Sequence, residues 1–193
     1  MPLQVLAYVL GAVTLALPLA LAAAGPLTLT AARATALLAY SFLFHNIMTG
    51  SMGVPLFYRL FKPGLVRRYH VMSGVAGFGL AVAHMVIVLA SLPLGVFGAA
   101  WIIGPVALGL LAVTVAAALG RKRLPGVWRR IHQLNYAIFL AIYVKAVMIG
   151  SDLELVPWLK VVFTLYLAAA ALGLLSRLVR YTLLKRGKKA VSR

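Results

Sequence analysis

The stretch RRYHVMSGVAGFGLAVAHMVIVL, residues 67–89, decides how this chain is read. Past its basic start it stays apolar for about 20 residues, the length that crosses the hydrocarbon core of a bilayer. It also carries His70 and His84. Ionisable side chains at membrane depth are costly, and by default they mark functional sites. An α-helix advances about 1.5 Å and about 100° per residue, so fourteen residues put both imidazoles within roughly 40° of one face, about 21 Å apart in depth. Two histidines on one stripe, toward opposite sides of a membrane, point to a stacked pair of cofactor sites.

The same apolar pattern recurs on either side. The chain has 193 residues, 64% of them hydrophobic, and a mean hydropathy of +1.03. Apolar runs at about 3–24, 33–54, 70–92, 97–119, 131–150 and 158–182 predict six spans. Between them lie the turn residues Gly25-Pro26, Pro55, Pro63-Gly64, Pro93, Pro125-Gly126 and Pro157. The expectation is an all-α integral membrane protein, a six-helix bundle forming one domain over 1–193 with a basic tail from about 183. The first run ends in Leu21-Ala22-Ala23-Ala24, as a secretory signal does. It lacks the basic start of a signal peptide and is too long for one.

The net charge of +17 is distributed as a membrane topology signal. Arg59, Lys62, Arg67 and Arg68 follow span two, and Arg121, Lys122, Arg123, Arg129 and Arg130 follow span four. Arg177, Arg180, Lys185, Arg186, Lys188, Lys189 and Arg193 crowd the far end, whereas the only acids, Asp152 and Glu154, lie between spans five and six. Cations gather on the cytoplasmic side of membrane proteins, so both termini are expected there, in a multi-pass protein of the cell membrane. Such segments suit anionic lipid headgroups, and nothing in the distribution asks for nucleic acid. Trp101 and Trp158 fall at the outer interface and Trp128 at the inner one. The chain has no cysteine, which excludes disulfides, thiolate-held clusters and covalently attached haem. Any haem must be held by axial side chains alone. No carboxylate pair or nucleophile motif suggests hydrolysis, and the Gly-x-Gly at Gly77 and Gly79 follows no strand, so it is no dinucleotide fingerprint.

Span five repeats the opening theme. Arg129-Arg130-Ile131-His132 resembles Arg67-Arg68-Tyr69-His70, and spans three and five run in the same direction. His70 and His132 therefore fall at matching depth near the cytoplasmic face. A porphyrin between them would take one imidazole on each side, with Arg68 and Arg130 available to its propionates. Gly74 and Gly77 share the histidine stripe, where a flat ring needs room. The alternative is that small residues there let helices pack closely. The polar residue about four turns beyond His132 is Lys145. On an ideal helix it is rotated roughly 140° from His132, so facing a cofactor with His84 requires a bend or π-bulge. A lysine amine ligates iron only when neutral; otherwise Lys145 snorkels or pairs with Asp152 or Glu154. His45, beside Asn46 in span two, is a further candidate partner, or a hydrogen-bonded core histidine.

These residues resemble the ferric-reductase-like transmembrane domain family, shared by ferric reductases, NADPH oxidases and the stand-alone haem subunit MsrQ. The resemblance covers about 35–182. It rests on Leu60-Phe61-Lys62-Pro63-Gly64-Leu65-Val66-Arg67-Arg68-Tyr69-His70, the spacing to His84, and Leu124-Pro125-Gly126-Val127-Trp128-Arg129-Arg130-Ile131-His132. It implies a six-helix bundle in which helices three and five each give two histidines to two stacked b-type haems. Carried over, His70 and His132 bind the cytoplasmic-side haem and His84 faces the outer one. Lys145 stands where the family's fourth histidine falls, so one or two haems are expected. The family's larger members continue into flavin and nicotinamide domains. This chain ends at Lys188-Lys189-Ala190-Val191-Ser192-Arg193 and carries no flavin or NAD(P) site, as in the stand-alone form.

The resemblance thus implies a b-type haem protein that passes electrons from a cytoplasmic-side flavoprotein or quinol to an outer-side protein, iron or oxygen. A single-haem binding or sensing protein without transmembrane flux is a second class. A haem-free transporter or structural subunit is a third, and it predicts no Soret band.

Overall fold

The computed structural model describes residues 3–25, 30–51, 61–91 and 99–191. The expected turns at Pro26, Pro55 and Pro93, with Arg59, lie outside the described residues. Eight helices and no strand occur among the described residues: α1 (Leu3–Ala23), α2 (Ala31–Ser51), α3 (Pro63–Ser91), α4 (Ala99–Leu119), α5 (Trp128–His132), α6 (Asn135–Ile149), α7 (Ser151–Leu155) and α8 (Pro157–Val191). The protein is all-helical. Among the described residues four stretches are long and apolar enough to cross a membrane: Pro63–Ser91, Trp101–Leu119, Trp128–Ile149 and Pro157–Leu183.

Several boundaries differ from the sequence expectation, each for a local reason. Pro63 and Pro157, expected as separators, instead open α3 and α8. Proline has no N–H to give and a fixed φ, which suits the first helical position. Helix α3 therefore starts seven residues before His70, and His70 lies inside a helix rather than at its end. Span five is not continuous either. Gln133 and Leu134 take ψ values of −19° and −17°, and the Leu134 N–H bonds back to Ile131. That is 3₁₀ geometry, which turns about 120° per residue and re-aims the chain between α5 and α6. At the other end Gly150 closes α6 so tightly that a Cβ there would collide with the Ala146 carbonyl.

Helix α2 is the hub. It packs most extensively on α3 and also against α1, α6 and α8. From Leu37 to Ile47 every residue except Leu38 and Phe42 is buried. Because protein surrounds it, α2 can carry the polar residues Ser41, His45, Asn46 and Thr49. Its length, 21 residues, is about 30 Å at 1.5 Å per residue. Three aromatic rings from α2, α6 and α8 fill the centre, with Tyr40 stacked 4.4 Å from Phe139 and 4.2 Å from Phe163.

The outer helices show the opposite pattern. Val71, Val75, Val82, Val86 and Leu89 on α3 are exposed, as are Ile102, Val106 and Val113 on α4. So are Leu165, Leu172, Leu175 and Val179 on α8. Continuous outward apolar stripes of this kind suit lipid as the surrounding solvent. This is the surface of a membrane protein.

Candidate functional site: two histidine centres joined by α2

The structure brings His70 and His132 together. Their ring centres lie 5.8 Å apart with planes at 75°. Helix α3 supplies His70 and the short α5 supplies His132. The placement of α5 is fixed by Thr114 of α4, whose buried hydroxyl donates to the Asn135 side chain at 2.7 Å just past the 3₁₀ turn. Trp128 packs 6.2 Å from the His132 ring, and the Arg129 guanidinium covers the Trp128 face at 5.5 Å.

The hydrogen bonds make these histidines unequal. His70 donates its Nδ1–H to the Asn46 carbonyl at 3.0 Å, with Thr49 Oγ1 at 3.2 Å. That bond fixes the tautomer and leaves Nε2 with its lone pair, the form a metal ligand needs. Among the described residues His132 Nδ1 meets no partner at strict hydrogen-bond geometry, while the Thr114 main chain lies within hydrogen-bonding reach of the ring. Arg177 of α8 also acts electrostatically on His132. The sequence grouped Arg177 with the basic tail, and only the packing of α8 places it near this centre.

Two imidazoles this close, on separate helices, are a pair that could share one metal-bearing group. No group of three or more His, Cys, Asp or Glu side chains able to hold a metal ion forms among the described residues. Arg68 and Arg130 are exposed at the same end as the pair.

His84 and Lys145 meet elsewhere. Both line a cavity of about 660 Å³ between α2, α3, α4 and α6, together with Trp101, Gly104 and Tyr40. That volume lies within the range of small-molecule and cofactor sites. His84 also donates Nδ1–H to a carbonyl of α2, that of Ala32, at 2.9 Å, leaving its Nε2 free. The Lys145 amine lies over Gly104, where a Cβ would stand 3.3 Å from Nζ. Asp152 does not pair with Lys145: it bonds Arg33, which ties α7 to the start of α2 beside the cavity. Buried Tyr40 has a hydroxyl without a partner among the described residues.

His45 takes part in neither centre. Its Nδ1 accepts from the Tyr69 hydroxyl at 2.5 Å and its Nε2 bonds Thr14 Oγ1 at 3.0 Å. Both nitrogens are used, so His45 is the hydrogen-bonded core histidine of the two readings given for it. Gly77 faces Leu43 of α2, whose N, Cγ and Cδ2 would each stand 3.3 Å from an added Cβ. Gly74 faces the Asn46 amide in the same way, at 2.8 Å. These glycines admit α2, the close packing that small residues allow.

Compared with known protein families, curated proteins and solved structures, the chain matches none of them.

Proposed function

We propose that this protein is a b-type haem protein of the ferric-reductase-like kind, carrying electrons across the cell membrane from a cytoplasmic donor to an outer acceptor. In this reading it has six spans with both termini in the cytoplasm, α1 and α2 joining the four long apolar stretches. The 5.8 Å approach of His70 and His132, on two different helices, is the observation that carries it. His70 and His132 hold the inner haem, and the cavity with His84 and Lys145 is the place for a second. When bound, haem b supplies a one-electron carrier. The protein fixes the imidazoles, excludes water with its aromatic centre, and offers Arg68, Arg130 and Arg177 to the propionates. The basic inner surface suits docking of an acidic flavoprotein or a quinol-linked donor. Ferric iron, oxygen or a protein on the far side would take the electron.

A quantitative pyridine haemochrome assay on the purified protein tests this. One or two haems per chain are expected, with at least one lost in both His70→Ala and His132→Ala. If those two variants keep the wild-type spectrum, the assignment is wrong. Absence of a Soret band from the wild type would favour a haem-free transporter.

A further inference from the structure

Helix α2 contributes neither member of the His70–His132 pair, yet it grips His70 at four points. The Asn46 carbonyl accepts from Nδ1–H at 3.0 Å, and Thr49 Oγ1 stands 3.2 Å from the same nitrogen. The Asn46 side-chain amide donates back to the His70 carbonyl at 2.6 Å. Gly50 leaves space for the ring edge, since a Cβ there would sit 3.1 Å from Cε1 and 3.6 Å from Nδ1. Glycine on α3 completes the fit, because a Cβ at Gly74 would press on the Asn46 amide. The neighbouring pair is held alike, with His45 bonded to Tyr69.

We propose that α2 sets both the orientation and the donor strength of the His70 imidazole, with Asn46, Thr49 and Gly50 as its positioning residues. This rests on the haem reading above. The reciprocal Asn46 bonds fix α3 along and around its axis, so Nε2 keeps one direction. An Nδ1–H held by a carbonyl gives the ring partial imidazolate character, which makes Nε2 a stronger donor. A stronger donor favours ferric over ferrous iron and lowers the reduction potential. The Thr114 main chain approaches the His132 ring without meeting strict hydrogen-bond geometry at Nδ1, so any strengthening there is weaker than at His70. A lowering of the inner centre's potential would thereby originate in α2 and His70.

The test uses the full chain in detergent, comparing Gly50→Ala and Asn46→Leu with the wild type. Ser41→Ala is the control, since that hydroxyl bonds only the Leu37 carbonyl within α2. Haem per chain, the midpoint potential and the low-spin electron paramagnetic resonance signal are measured for each. The two cradle variants are expected to shift the low-spin signal and weaken haem retention by about 10–100-fold. Their potential rises, changing the reduced-to-oxidised ratio roughly tenfold at fixed ambient potential, about 59 mV for one electron. Ser41→Ala leaves all three readouts unchanged. Gly50 lies at the exposed end of α2, so its variant decides the matter if Asn46→Leu does not fold. Wild-type potential, signal and retention in Gly50→Ala would overturn the proposal while leaving the haem reading intact. A wild-type protein without haem would instead overturn that reading.

Discussion

Replacing Gly77 by alanine measures how closely α2 and α3 must approach. An added Cβ would meet Leu43 at three atoms, all 3.3 Å away, and one of them is the backbone nitrogen. A side-chain tip can rotate aside, but a backbone atom in a buried helix cannot. Relief therefore requires α3 to move away from α2. Overpacking of this kind costs about 1–3 kcal/mol, against which alanine gains about 1 kcal/mol of helix propensity over glycine. Gly79, two residues on in the same helix, has nothing within 4 Å of its added Cβ. Gly79→Ala should thus show the propensity gain alone. The difference between the two variants, about 1–3 kcal/mol, isolates the close approach. Thermal unfolding in one detergent, followed by far-ultraviolet circular dichroism, reads it directly. Gly77→Ala should melt below Gly79→Ala, because the same movement also loosens the Asn46–His70 bonds. Equal melting temperatures would refute the packing argument.

Three further outcomes follow from the same structure. Tyr40→Phe removes a buried hydroxyl that has no partner among the described residues while keeping the stacked ring. It should be neutral or raise stability by about 1 kcal/mol, and a clear loss in thermal unfolding would mean that the hydroxyl is bonded after all. Asp152→Asn breaks the ion pair to Arg33, whose side chains are only 14% and 15% exposed. A cost of about 1–3 kcal/mol is expected, between exposed and buried pairs, and a thermal melt unchanged from wild type would show the pair to be dispensable. Lys145→Ala should remove one haem from a two-haem protein and leave the His70–His132 centre intact. A haemochrome stoichiometry unchanged at two would exclude Lys145 as a ligand.

The features legible in the sequence were those set by local chemistry. Hydropathy marked six spans, and those of α3, α4 and α8 carry long outward apolar stripes. The twin Arg-Arg-x-His segments marked His70 and His132, whose rings the fold brings to 5.8 Å although His70 lies inside α3 and His132 ends α5. Lys145 was harder to place. Ideal helical geometry turned it away from His132, and the 3₁₀ turn at Gln133–Leu134 that breaks that geometry has no proline or glycine to announce it. Pro63 and Pro157 misled in the other direction, since a proline between spans reads equally as a separator or as a first helical residue. Arg177 was lost among the basic residues of α8, because proximity to His132 depends on how two distant helices pack.

The role of α2 was the least legible of all, and the reason is physical. A helix facing lipid must be apolar, so hydropathy reports it, whereas a helix wrapped by protein is judged by its partners. Ser41, His45, Asn46 and Thr49 give α2 a polar content that hydropathy alone does not explain, although the sequence still reads 33–54 as a span. In the fold each of them finds a hydrogen bond: Ser41 to Leu37, His45 to Thr14 and Tyr69, Asn46 to His70, and Thr49 to the His45 carbonyl. Polar groups in a low-dielectric interior are tolerated when every bond is made. The same bonds hold His70 through Asn46, and α2 holds His84 through the Ala32 carbonyl. Both α3 histidines thus use Nδ1 on a main-chain carbonyl of α2 and keep Nε2 free. The helix that carries these polar residues is therefore the element that orients both candidate ligands.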